Sequence, residues 1–148
     1  MEYIDYICKL NNHDDYLKML DILESKCLYV EYVLVDGRKS DGLVDKFHTD
    51  IISKDKTREW WGTVTTPACI RYKIKASKGL FDYLRSFETF VKYIMKVGYP
   101  DRCINTEFGI NDIAFFDSEE DPMLFTTTHE GYIDVRKVID KEYKKVIN

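Results

Sequence analysis

With 148 residues, 45% apolar and 32% charged, and a formal charge of −4, the chain has the make-up of one globular domain with its own core. These values exclude a disordered chain, and no apolar run approaches the roughly 20 residues of a membrane-spanning helix. No basic region followed by an apolar one opens the sequence, so a cytoplasmic protein without membrane contact is expected.

Residues 12–27 place Leu17, Leu20, Leu23 and Cys27 on one helical face, with Asn12 as cap and Asp14 and Asp15 near the positive end of the dipole. Leu28–Val35 is dense in β-branched and aromatic residues and runs into Asp36-Gly37, a buried strand closed by a turn. Residues 37–58 mix glycine, charge and short apolar pairs, and read as a loop with one short helix near Leu43–Ile52. Strand character returns from Trp60 to Lys75. It is interrupted at Pro67, which cannot donate to a ladder and so marks a turn, an edge or a bulge. Beyond it Ile70, Tyr72 and Ile74 alternate with Arg71, Lys73 and Lys75, one face on the core and a basic one in solvent.

Ser77 then caps a helix predicted over Lys78–Val97. Leu80, Leu84, Phe87, Val91 and Ile94 recur there at helical spacing, and Gly98 supplies the stop. Tyr99-Pro100-Asp101 reads as a breaker. Ile113–Phe116 and Met123–Thr128 form the strands of an antiparallel hairpin around Asp117–Pro122, and His129-Glu130-Gly131 turns the chain into Tyr132-Ile133. Asp134 can cap a last helix that buries Val135, Val138, Ile139, Tyr143 and Val146. Strands run partly in succession rather than alternating with helices. The expected fold is therefore α+β, a single domain over 1–148, with a mostly antiparallel sheet of four to five strands packed against two to four helices.

The residue types that carry chemistry are sparse. Cys8, Cys27, Cys69 and Cys103 show no C-x-x-C pair and read as reduced thiols, mainly in the core. His13, His48 and His129 stand outside every zinc-binding spacing, and there is neither a nucleophile elbow nor a phosphate-cradling glycine loop. Asp117–Asp121 matches a hard-cation loop in charge alone, without the alternating oxygens or the central glycine. No metal and no cofactor are expected. One pair invites acid–base chemistry. If the turn at Gly131 brings His129 and Glu130 together, the carboxylate raises the imidazole pKa, and a small hydrolase-like enzyme is the alternative reading.

Charge distribution carries the main expectation. Between Arg102 and Arg136 lie 33 residues with no Lys or Arg but eight carboxylates: Glu107, Asp112, Asp117, Glu119, Glu120, Asp121, Glu130 and Asp134. Of 26 acids, 18 remain elsewhere against 22 bases, so a −8 segment is attached to a +4 body. A hairpin tip with Asp117, Glu119, Glu120 and Asp121 concentrates negative field, which speeds capture of a basic surface. Acidic turns also serve plain solubility. Consecutive strand residues face opposite sides, so one of Trp60 and Trp61 enters the core and the other is either an exposed apolar anchor or covered by a loop or helix. Arg71, Lys73 and Lys75 could contact phosphates, but a pI of about 5.4 argues against nucleic acid as the partner.

These features point to a non-enzymatic protein-binding or inhibitory protein. Asp117, Glu119, Glu120, Asp121, Trp60 and Trp61 would meet a protein partner with a basic surface, such as a nuclease toxin. In size, acidity and lack of catalytic motifs it is similar to the small acidic cytosolic immunity proteins that bacteria pair with secreted toxins. A third reading is a structural homodimer joined through strand edges.

Overall fold

The computed structural model describes residues 2–6, 9–10, 12–35, 39–61, 63–90, 93–96, 99–103 and 111–147, with backbone alone at 63–67, 93–96, 99–103 and His129. The Asp36-Gly37 turn, the Gly98 stop, Cys8 and Glu107 lie outside the described residues. In chain order the elements are β1 (Tyr3–Asp5), α1 (His13–Glu24), β2 (Tyr29–Leu34), α2 (Gly42–Lys46), β3 (Ile51–Trp60) and β4 (Thr63–Lys75). They continue as α3 (Lys78–Arg85), β5 (Tyr93–Lys96), β6 (Tyr99–Cys103), β7 (Asp112–Phe116), β8 (Leu124–Thr127), β9 (Tyr132–Arg136) and α4 (Lys137–Val146). Seven strands form one antiparallel sheet in the order β1-β9-β8-β7-β2-β4-β3, and β5 and β6 make a separate ribbon. The α+β class holds, and the sheet is larger than the four to five strands expected.

Cross-strand partners share a face, so the registers sort side chains into two sets. On the inner face one row crosses the whole sheet: Ile4, Val135, Leu124, Phe115, Val30, Ile74 and Ile51. Met19, Leu20 and Leu23 of α1, Leu43 and Val44 of α2, Leu80, Phe81 and Leu84 of α3, and Ile139 and Tyr143 of α4 belong to the same buried cluster. All four helices therefore cover one face. Asn12 caps α1 by accepting from the Asp15 amide, and Ser77 caps α3 through Leu80. Each leucine in this layer is worth about 2–5 kcal/mol against alanine.

The outer face carries no helix among the described residues. Its central row runs Asp5, Asp134, Phe125, Ala114, Glu31, Lys73 and Ser53. Val33, Cys69, Ala114, Phe116, Phe125 and Trp60 form a second, smaller buried cluster there. β7 explains why this is possible. Asp112–Phe116 is buried at every position, the pattern of a strand covered on both faces rather than one.

Several expectations are corrected. The helix from Lys78 ends at Arg85, not Val97, because Ser86 closes it onto the Tyr83 and Leu84 carbonyls. The Thr89 hydroxyl then bonds the Leu10 carbonyl at 2.6 Å, and Phe90, off the expected stripe, is the ring that becomes fully buried. Ile94 lies in β5 and the supposed breaker at Tyr99-Pro100-Asp101 in β6; Pro100 sits at the irregularity of that ribbon, where a missing donor is tolerated. The segment read as loop up to residue 58 becomes β3 from Ile51 onward. Its run of exposed charges hid it, since an edge strand can satisfy a ladder on one side without an apolar face. Pro67 falls at a bulge, where residues 65–68 of β4 stand opposite Arg58 alone. Asp134 and Val135 belong to β9, so α4 starts without a side-chain cap, and Val138 and Val146 are exposed at 53% and 46%.

Candidate functional site

The acidic turn between β7 and β8 is not a free loop. Arg136, the residue that ends the base-free stretch, reaches back from β9 and donates to Asp117 at 2.7 and 3.3 Å and to the Asp121 carbonyl. The Glu119 amide donates to Asp117 at 3.0 Å, an Asx-type turn, and Tyr3 donates to the Pro122 carbonyl at 2.7 Å. Burial pushes the Asp117 carboxyl up, but the Arg136 hydrogen bonds and the Glu119 amide outweigh it and hold the group below its ordinary value. Asp117 is thereby spent on bracing the turn. Glu119 and Glu120 are exposed and Asp121 is half-buried, which leaves three carboxylates facing outward.

The other acids of the segment are dispersed. Asp112 is buried and accepts from the Thr128 amide at 2.7 Å. Asp134 stands opposite Asp5, and burial together with that neighbour raises its pKa. Glu130 is exposed at the far end of β8 from the acidic turn. Of the seven described acids of this segment, Glu119, Glu120 and Asp121 remain together on the turn.

Both tryptophans lie on the outer face. Trp60 is 6% exposed and its indole N–H donates to the Thr126 carbonyl at 2.7 Å. That carbonyl is open because the Thr126 hydroxyl, rather than a backbone group, accepts from the Ile113 amide at 3.0 Å. Trp61, in the turn after β3, is half-buried against Phe116 and Phe125, with ring centres 5.7 and 6.3 Å apart. Trp60 is the core indole, and Trp61 is half-buried rather than exposed for a geometric reason. Alternation ends where the hairpin turns, and the arm folds its tip over the sheet.

The packing continues outward from Trp61. Phe116 stacks on Tyr29 at 4.8 Å, Lys73 Nζ sits 4.0 Å above the Tyr29 ring, and Phe125 meets Tyr3 edge-on at 5.3 Å. Phe116 immediately precedes Asp117, and Tyr3 holds Pro122. Phe116 and Tyr3 therefore join the outer-face aromatics to the base of the acidic turn. Glu120 lies four residues from Phe116, a span of at most about 14 Å. Glu31 lies beneath this group. Burial raises its pKa against the opposing pull of Arg71, the Trp61 hydrogen bond and Lys73.

His129 and Glu130 occupy a single 3-10 turn closed by Gly131 in the left-handed region, φ 73°. Glu130 is exposed, and the His129 side chain lies outside the described residues. The polar groups nearest in sequence serve one another: Thr128 donates to the Asn111 carbonyl at 2.8 Å, and Asn111 donates to the Tyr32 hydroxyl at 3.1 Å. Tyr32 donates in turn to Asp41 at 2.5 Å, which caps α2. Among the described residues no group of three or more His, Cys, Asp or Glu could hold a metal ion. No helix among the described residues is long and apolar enough to cross a membrane. Cys69 is buried and Cys27 half-buried.

Comparisons with protein-family models, with curated proteins and with solved structures find no match. The residues that sequence reasoning missed are Arg136, Phe116, Phe125, Tyr29 and Tyr3. Arg136 had a signal, as the first base after a long acidic run. The two phenylalanines had a weaker one, since β7 and β8 are apolar at positions of both parities.

Proposed function

We propose that this is a non-enzymatic binding protein that captures a basic protein surface, in the manner of an immunity-type inhibitor of a toxin such as a nuclease. One observation carries the reading: the braced acidic turn is joined at its base, through Phe116 and Tyr3, to the aromatic cluster that holds the half-buried Trp61. Arg136 holds the turn in place, so Glu119, Glu120 and Asp121 lose little freedom when a partner arrives. Their field steers encounter, while the half-buried Trp61, Tyr29 and Tyr3 offer the aromatic area from which interface anchors are usually drawn. An adjoining recess of about 440 Å³, between the turn and α4, places the exposed Val138 beside Glu119.

The test uses the products of the genes that flank this one, expressed in catalytically inactive form. A basic product should bind the wild-type chain, and the Glu119→Lys/Glu120→Lys variant should associate at least about tenfold more slowly at low salt. If no flanking product binds, or the variant binds at an unchanged rate, the reading is wrong.

A further inference from the structure

The two edges of the sheet are built differently. β1 is three residues long, and that shortness by itself limits pairing with another chain. β3 is ten residues long and ends the strand order, so its outer edge has no strand beside it among the described residues. We infer that this edge is a docking site for an extended segment of a partner protein that carries carboxylates at every second position.

The charge pattern decides the occupant. Within the regular stretch 53–57, Lys54 and Lys56 pair with Tyr72 and Ile70 and so stand on the helix side, both exposed. Ser53, Asp55 and Thr57 stand on the other side, and Asp55 is already bound by Arg71 at 2.8 and 3.2 Å. The edge thus offers two cations on one side and a neutralised row on the other. Glu59, which pairs with Val64 past an irregularity of the ladder, adds no open donor, because the Thr57 hydroxyl accepts from its amide at 3.0 Å. Five residues at about 3.3 Å each give roughly 17 Å of open backbone, the length of an ordinary strand.

A second copy of this chain does not fit. A two-fold antiparallel pairing that continues the sheet keeps each residue on its own face, so paired positions share parity. Every central register then sets Lys54 or Lys56 against its own kind, which is destabilising. A segment with glutamates or aspartates on the helix side and small hydroxylated residues on the other meets both rows. Main-chain bonds supply the affinity and the two lysines supply the choice of partner. This site is separate from the acidic turn and does not depend on it.

The probe is a seven-residue peptide of alternating threonine and glutamate with blocked ends. Its controls are the threonine–lysine counterpart and the acidic peptide N-methylated along one edge. Binding is read by fluorescence anisotropy, and protection of the outward amides of residues 53–57 by hydrogen exchange. The acidic peptide should bind and protect those amides, the basic one should bind at least about tenfold more weakly, and N-methylation should abolish binding. The exposed Lys54→Glu/Lys56→Glu variant should reverse the preference while retaining the wild-type melting temperature. Equal binding of the N-methylated peptide would reduce the effect to charge alone and overturn the proposal. So would no binding at millimolar peptide, protection elsewhere, or a self-associated dimer that protects the same amides.

Discussion

The β3–β4 and β7–β8 hairpins are both antiparallel pairs with charged stretches, yet they use charge in opposite ways. In β7–β8 one arginine from outside the pair neutralises the acid at the base of the turn, and the remaining carboxylates are left facing out. In β3–β4 the one acid of the regular stretch, Asp55, is neutralised by Arg71 within the pair, and the lysines remain. Each hairpin is braced by one arginine–aspartate pair, and the charges left over in the acidic turn and in the stretch 53–57 are each of a single sign. The difference teaches that net charge says little about a surface until the pairs that hold the fold have been subtracted.

The comparison can be broken at its anchors. Trp60→Ala should cost the most, about 3–5 kcal/mol in urea unfolding, because it removes the buried ring that fixes the arm on the outer face. Trp60→Phe should cost about 1–2 kcal/mol, the loss of a donor to a buried carbonyl. Arg136→Met should fall between these two at about 2–3 kcal/mol, since Asp117 is left partly buried without its cation. A change under about 0.5 kcal/mol for either anchor would show that the hairpin concerned is held by something else.

Acidity sharpens the contrast further. Asp117 and Asp140 both have pKa values lowered from the ordinary 3.8. For Asp140, burial raises the value but the Tyr6 hydroxyl and Lys144 outweigh it. Their stabilisation is complete above 3.8 and is lost as pH falls through the lower folded values. Glu31 behaves in the reverse sense. Its folded value lies above 4.5, so its contribution weakens as pH rises from there through the raised value. Glu31→Gln should therefore raise the melting temperature at neutral pH and leave it unchanged near pH 3, whereas Arg136→Met should flatten the acid-side decline. The smallest effect belongs to Glu119→Lys/Glu120→Lys, within about 0.5 kcal/mol of wild type in unfolding, because neither side chain is buried.

Much of the fold was legible in the sequence where a segment has one apolar face. α1, β2 and the β7–β8 hairpin fall where spacing and caps place them. The reading failed where tertiary contacts override local pattern. The stripe through Phe87, Val91 and Ile94 continues past a helix that Ser86 has already ended. β3 was invisible because its stability comes from pairing with β4, not from apolar alternation. The acidic turn and the tryptophans were both visible, but not their connection. That depends on Phe116 and Phe125 pointing away from the helices, a property of register rather than of composition.

The most direct measurement needs no partner. Two soluble nitroxides of the same size, one cationic and one anionic, broaden amide and indole signals according to the local potential. The cationic probe should relax the amides of Ser118–Asp121 and the Trp61 indole more strongly than the anionic one, with the order reversed at Lys54 and Lys56. Equal relaxation by both probes at the turn, or a Trp61 indole unaffected by either, would contradict a negative turn joined to an aromatic cluster and poised to receive a basic surface.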